Sequence, residues 1–218
     1  MNEARLREEI CRVGHGLYAR GLAHSTAGNI SARLPDGWLI TPTDACLGLL
    51  DPARLAKVDA DGNAVSGDRP SKTLSLHRAI YGADPGARCV IHTHSTHLVA
   101  ASLAGPWQGE DLLPPLTPYF VMKVGHVPLI PYRRPGDPDA ARLVAEAIAR
   151  FAARGTPIRA VMLARLGPDA WHDSPASAMA VLEELEETAR VWLLSGRTAA
   201  ILPDAAIDEL RRTFGACW

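Results

Sequence analysis

The stretch Arg88-Cys89-Val90-Ile91-His92-Thr93-His94 constrains the fold of this chain more than any other. Cys89, Val90 and Ile91 form a short apolar run, and Asp84-Pro85-Gly86 just upstream is a turn signal. Such a run reads as a buried strand entered from a turn. His92 and His94 close it. Side chains two apart on a strand project from the same face, so the two imidazoles are expected to stand together. Two imidazoles on one face are half of a tetrahedral zinc site, which holds nitrogen ligands at about 2.0–2.1 Å. Two hydrogen-bonded polar residues closing a strand are the plainer alternative, but the spacing after an apolar strand favours a metal. His97 begins a helical segment and reads as a supporting or structural residue.

A chain of 218 residues can fill one core, so residues 1–218 are expected to form a single domain. Charged residues at 22% and hydrophobic ones at 47% argue against disorder. A net charge of -1 offers no basic field, so no nucleic-acid partner is expected. The N-terminal residues lack the apolar core of a signal peptide, and no apolar run approaches membrane-spanning length. Cys11, Cys46, Cys89 and Cys217 are scattered without a C-x-x-C pair and read as reduced thiols. The expectation is a cytoplasmic protein with no membrane partner.

Leu6, Ile10, Val13 and Leu17 recur at helical spacing behind an Asn2 cap, with Gly21 as the stop. Residues 24–31 are small and polar and read as a turn, one that can offer N–H and hydroxyl donors to an anion. Residues 38–41 read as a strand, Asp51-Pro52 as a helix start and Asp61-Gly62-Asn63 as a hairpin. Ser71 is the expected N-cap of a helix that buries Leu74, His77, Ile80 and Tyr81. Its N-terminus, with Ser71 and Lys72, reads either as an anion site or as an ordinary cap, and His77 as a core histidine. Residues 98–103 are helical. Tyr119-Phe120-Val121-Met122 is an apolar run read as a strand, and residues 127–132 as an edge strand because of Pro128 and Pro131. A helix runs from Pro138 to Phe151, residues 158–163 form the last clear strand, and Gly167-Pro168-Asp169 is a turn. Ser174-Pro175 opens a long helix, and a short one spans residues 204–214. Runs of strands and helices without strict βαβ alternation predict an α+β fold in three α/β/α layers around a central mixed, largely antiparallel sheet.

Two other readings of the histidine pair are weaker. A cupin needs a glutamate where Leu98 or Val99 stands, and its jelly roll has no place for the flanking helices. A barrel enzyme that opens with H-x-H needs about 250 residues.

Ala27-Gly28-Asn29-Ile30-Ser31, Thr41-Pro42-Thr43, Pro70-Ser71-Lys72, His92-Thr93-His94 and the helix through Leu182-Glu183-Glu184-Leu185 together resemble the class II aldolase/adducin family. Tyr119-Phe120-Val121-Met122-Lys123 and Tyr132-Arg133-Arg134-Pro135-Gly136-Asp137 look most like its branch of 3-oxo-tetronate 4-phosphate decarboxylases, near the fuculose-phosphate aldolases. The resemblance implies a metal-dependent carbon–carbon lyase, a decarboxylase or aldolase, acting on a phosphorylated sugar or sugar acid. It implies zinc as the divalent metal, a Lewis acid that stabilises an enediolate, and a homotetramer with sites near subunit interfaces. Carried over by position, His92 and His94 would bind the metal and Asn29, Thr43 and Ser71 would cradle the phosphate. Lys72 would sit beside the phosphate or face a carboxylate, and Tyr119 would donate a proton.

Two positions depart from the family pattern. The acid expected after Pro-Ser-Lys is Thr73, whose hydroxyl has no suitable pKa for a general base. The third zinc histidine, expected before Gly-Pro, is Leu166. Three accounts follow: another residue completes the site, His126 first and His172 second; two histidines with substrate or water suffice; or the chain is a non-catalytic relative that binds a ligand or partner.

Overall fold

The computed structural model describes residues 2–218. Asn2 caps α1 (Glu3–Ala19), its side chain accepting from the Arg5 amide at 2.9 Å, and the expected apolar stripe is buried. The small polar loop then gives way to strand β1 (Asn29–Leu34), followed by β2 (Gly37–Ile40), β3 (Ala56–Asp59) and β4 (Ala64–Ser66). Helix α2 (Leu74–Ala83) buries Leu74, His77, Ile80 and Tyr81 as the periodicity predicts, but Ser71 is not its cap. Thr73 holds that position without a side-chain capping bond. Strand β5 (Cys89–His92) leads through a short turn into α3 (Thr96–Leu103).

The Tyr119 run is a helix, α4 (Pro118–Lys123), not a strand. Thr117 accepts from the Phe120 amide at 3.1 Å and Pro118 stands in the first turn, so local start signals outweigh the apolar pattern. Strand β6 shrinks to Leu129–Ile130, because Pro128 and Pro131 on either side cannot donate to a ladder. Helix α5 (Pro138–Ala153), strands β7 (Ala160–Leu163) and β8 (Gly167–His172), and helices α6 (Pro175–Leu194) and α7 (Asp204–Phe214) complete the chain. β8 stands where a turn was expected.

The eight strands form one sheet in the order β4-β3-β2-β1-β5-β8-β7-β6. Every pairing is antiparallel except β6 with β7. Along β5 the side chains alternate. Cys89 and Ile91 join a cluster with Ile10, Leu17, Leu98, Leu182 and Leu185 of α1, α3 and α6. Val90 joins the opposite cluster with Ile80, Val144, Phe151 and Trp171, under α2 and α5. Helix, sheet and helix therefore make the three expected layers, and His92, in step with Val90, faces the α2/α5 side. No helix among the described residues is long and apolar enough to cross a membrane.

Candidate active site

β5 sits near the middle of the sheet, and its C-terminal end carries the histidines. Beyond His92 the backbone is clamped: the buried hydroxyls of Thr93 and Ser95 meet at 2.6 Å, and Ser95 donates to the Leu22 carbonyl at 3.2 Å. The His92 and His94 rings lie 5.1 Å apart between centroids, nearly perpendicular, and both line one cavity of about 390 Å³. His24 stands edge-on to His94 at 6.3 Å. Burial, with His92 and His24 nearby, pushes the His94 pKa down to about 4 against the pull of Asp169, so His94 is neutral and free to act as a lone-pair donor near neutral pH.

The other walls of the cavity hold Asn29, Thr43, Ser71, Lys72 and Arg134. The loops that bring Thr43 and Ser71 together are stitched to each other. The Thr43 amide donates to the Arg69 carbonyl at 2.9 Å, and its hydroxyl donates to the Pro70 carbonyl at 2.8 Å. Thr73 donates its hydroxyl to Asn29 Oδ1 at 2.8 Å, which leaves the Asn29 carboxamide nitrogen as a donor for a ligand. Gly28 has φ +92, and a Cβ there would stand 2.8 Å from the His92 carbonyl oxygen. Glycine thus lets this loop lie directly against the end of β5.

Behind His92 lies a residue that the sequence pattern hid inside its Gly-Pro-Asp turn signal. Asp169 of β8 is the register partner of His92 and is fully buried, with no hydrogen bond on either carboxylate oxygen. His92 Nδ1 lies 3.5 Å from Oδ2, and His77 Nε2 lies 3.8 Å from Oδ1. The other nitrogen of His77 meets Ser31 Oγ at 2.7 Å, and the same hydroxyl meets Tyr81 Oη at 2.8 Å. Burial opposes the charged form of His92, but the Asp169 carboxylate and the Pro168 carbonyl outweigh it and raise its pKa. For His77 burial wins over Asp169 and lowers the pKa to about 4.

The remaining expected site residues lie elsewhere. His126 does not reach the pair: it lines a separate cavity, with Nδ1 2.8 Å from Asp111 Oδ2 and its ring stacked 4.4 Å from that of Trp218. His172 closes β8 at the end opposite Asp169, with Nδ1 2.7 Å from its neighbour Asp173. Tyr119 is exposed on α4 and is not part of the cavity lining. His97 and its backbone amide both bond Glu186, so it anchors the start of α3 to α6. Leu166 does line the cavity, at the position where the family pattern calls for a histidine. Among the described residues no group of three or more His, Cys, Asp and Glu side chains is arranged to hold a metal ion. His92 and His94, with a buried carboxylate behind one of them, fit a two-imidazole site and no more.

A central mixed sheet between helical layers thus carries, at one strand end, paired histidines that share a cavity with Asn29, Ser71 and Lys72. The chain belongs to the family of the class II aldolase and adducin N-terminal domain, whose model matches residues 8–193. A 3-oxo-tetronate 4-phosphate decarboxylase of Cupriavidus necator is 60% identical over 99% of each chain, and one of Escherichia coli strain K12 is 44% identical over 96% of each. An L-fuculose phosphate aldolase of Haemophilus influenzae is 29% identical over 99% of this chain and 94% of its own. The solved structure of YgbL from Escherichia coli superposes with a TM-score of 0.86 at 43% identity, covering 96% of this chain and 99% of that one.

Proposed function

We propose that this chain is a carbon–carbon lyase that decarboxylates a phosphorylated 3-oxo sugar acid with the help of a divalent metal, zinc in the simplest case. One observation carries the reading: His92 and His94 share a single cavity with Asn29, Thr43, Ser71 and Lys72. The names borne by its relatives at 60% and 44% identity support the same reaction class.

His92 and His94 would hold the metal, which when bound supplies a Lewis acid for negative charge developing on a substrate oxygen. The Asn29 carboxamide nitrogen, the Ser71 hydroxyl and the Lys72 ammonium bind the phosphate, with Thr43 shaping the loop that Ser71 packs against. Thr73 selects between the two reactions open to this fold. Retro-aldol cleavage must first remove a hydroxyl proton, and a threonine hydroxyl cannot serve as that base. Decarboxylation of a 3-oxo acid needs no such step. The bond between the carboxyl carbon and carbon 2 breaks, carbon dioxide leaves, and the electron pair stays in the conjugated enolate until carbon 2 takes a proton. Without an acid at position 73 the usual route to retro-aldol cleavage is lost, while a route to decarboxylation stays open. Tyr119 would return that proton only if a second copy of the chain brings it to the cavity, which ties its role to the homotetramer; sedimentation of the protein and activity of Tyr119→Phe test both together. A cytoplasmic location belongs to the same proposal.

The test is release of carbon dioxide from a 3-oxo-tetronate 4-phosphate, lost in His92→Ala, alongside metal analysis of protein purified without chelator. No turnover together with no near-stoichiometric metal would sink the reading. Leu166 and Thr73 favour a second one, a non-catalytic relative that keeps the phosphate cradle to bind a ligand; phosphate binding without turnover would establish it.

A further inference from the structure

We propose that Asp169 is a positioning residue that fixes the His92 ring, holding the proton on Nδ1 and leaving Nε2 to face the cavity. The carboxylate is fully buried with no hydrogen bond to either oxygen among the described residues, and the His92 and His77 imidazoles approach it at 3.5 and 3.8 Å. An acid in an apolar layer without partners is costly. What these two rings can offer it is an N–H each. Nδ1 of His92 is buried and has no hydrogen bond among the described residues, whereas the residue lines the cavity. A proton on Nδ1 satisfies the carboxylate and leaves the Nε2 lone pair for whatever the cavity holds, because a neutral imidazole is a donor at one nitrogen and an acceptor at the other.

The hydrogen-bond chain on the far side is compatible with this. Tyr81 can donate to Ser31 Oγ and Ser31 to His77 Nδ1, which puts the His77 proton on Nε2, toward Asp169. The acid then accepts from both rings and is the fixed end of a chain that starts in the core. One rival for the His92 proton is the Pro168 carbonyl, which faces the same ring. The experiment must separate the two.

Nitrogen-15 spectra of the His92 side chain, recorded on metal-free protein at mildly alkaline pH, report the tautomer. The expectation is Nδ1–H in the wild type and loss of that preference in Asp169→Leu, which fills the same apolar space without an acceptor. Asp169→Asn keeps one acceptor oxygen and is expected to restore part of the preference; should the Leu variant fail to fold, Asp169→Ala replaces it. The metal arm rests on the function proposed above: cobalt(II) affinity is expected to fall about 10–100-fold in Asp169→Leu. An unchanged tautomer in a folded Asp169→Leu would overturn the proposal, since Pro168 would then suffice. A wild-type protein that binds no cobalt would refute the metal reading, while the tautomer comparison would still decide the role of Asp169.

Discussion

Acidification is expected to unfold this protein partly through one residue, His77. The ring is fully buried between Ser31 and Asp169, and burial outweighs the carboxylate to lower its pKa from 6.5 to about 4. Above the unfolded value of 6.5 neither state carries the proton, and the group contributes its full stability. As the pH falls, the unfolded chain takes the proton first and the folded state is disfavoured by up to 1.36 kcal/mol per pH unit. The loss approaches about 2 kcal/mol near pH 5 and about 3 kcal/mol once the pH has passed the folded pKa. A folded domain is typically stable by about 5–15 kcal/mol, so this one ring removes a sizeable share. The assay is urea unfolding of the wild type and His77→Gln at mildly alkaline pH and near pH 5. His77→Gln shifts the stability at both pH values, but only the wild type carries the extra acid-linked loss. Equal losses in the two proteins would refute the reasoning and mean that water reaches the ring or that a rearranged Asp169 stabilises its charged form.

Four further outcomes follow from the same geometry. Thr73→Val removes the hydroxyl that orients Asn29 and is expected to weaken inorganic phosphate binding about fivefold, as one hydrogen bond of about 1 kcal/mol would; calorimetry showing no change would free Asn29 from Thr73. Leu166→His places an imidazole on the lining beside His92 and His94 and is expected to tighten zinc binding, with Thr73→Glu adding to it; a competition titration without gain would mean that position 166 cannot turn toward the pair. Gly28→Ala forces an L side chain at φ +92 against the His92 carbonyl and is expected to lower both the melting temperature and phosphate affinity. Leu182→Ala, beneath the sheet in the α6 layer, is expected to cost about 2–5 kcal/mol in urea unfolding while leaving phosphate affinity unchanged.

Periodicity made the helices legible because their buried stripes carry them. The Leu6, Ile10, Val13 and Leu17 face of α1 and the Leu74, His77, Ile80 and Tyr81 face of α2 both lie where spacing puts them. β5 was legible for a similar reason, since Val90 and Ile91 are β-branched and buried on both faces. Strands β1 and β8 were not. Asn29, Ser31, Gly167, Pro168 and Asp169 all read as turn residues, and only pairing with β5 on each side makes strands of them. The helix at Tyr119 was missed because four apolar residues in a row do not distinguish helix from strand, whereas Thr117-Pro118 does.

The site shows the same division. His92 and His94 stand together as their spacing implied, and Asn29, Thr43, Ser71 and Lys72 line the same cavity as the family resemblance implied. His126 does not: it precedes β6, which runs parallel to β7, so its loop lies at the end of the sheet opposite Leu163 and the histidine cavity, and sequence position next to an apolar run does not reveal that. Asp169 escaped notice since a lone acid after Gly-Pro is an ordinary surface signal, and its burial becomes visible only with β8 in register against β5. The two strands that sequence rules failed to find are also the two that flank His92. An apolar residue at position 169 and a stronger strand former at position 31 would serve the sheet better. Retaining polar groups at both points, at a cost in core stability, is intelligible if they hold imidazoles in place, which is where local foldability rules are expected to yield to a functional site.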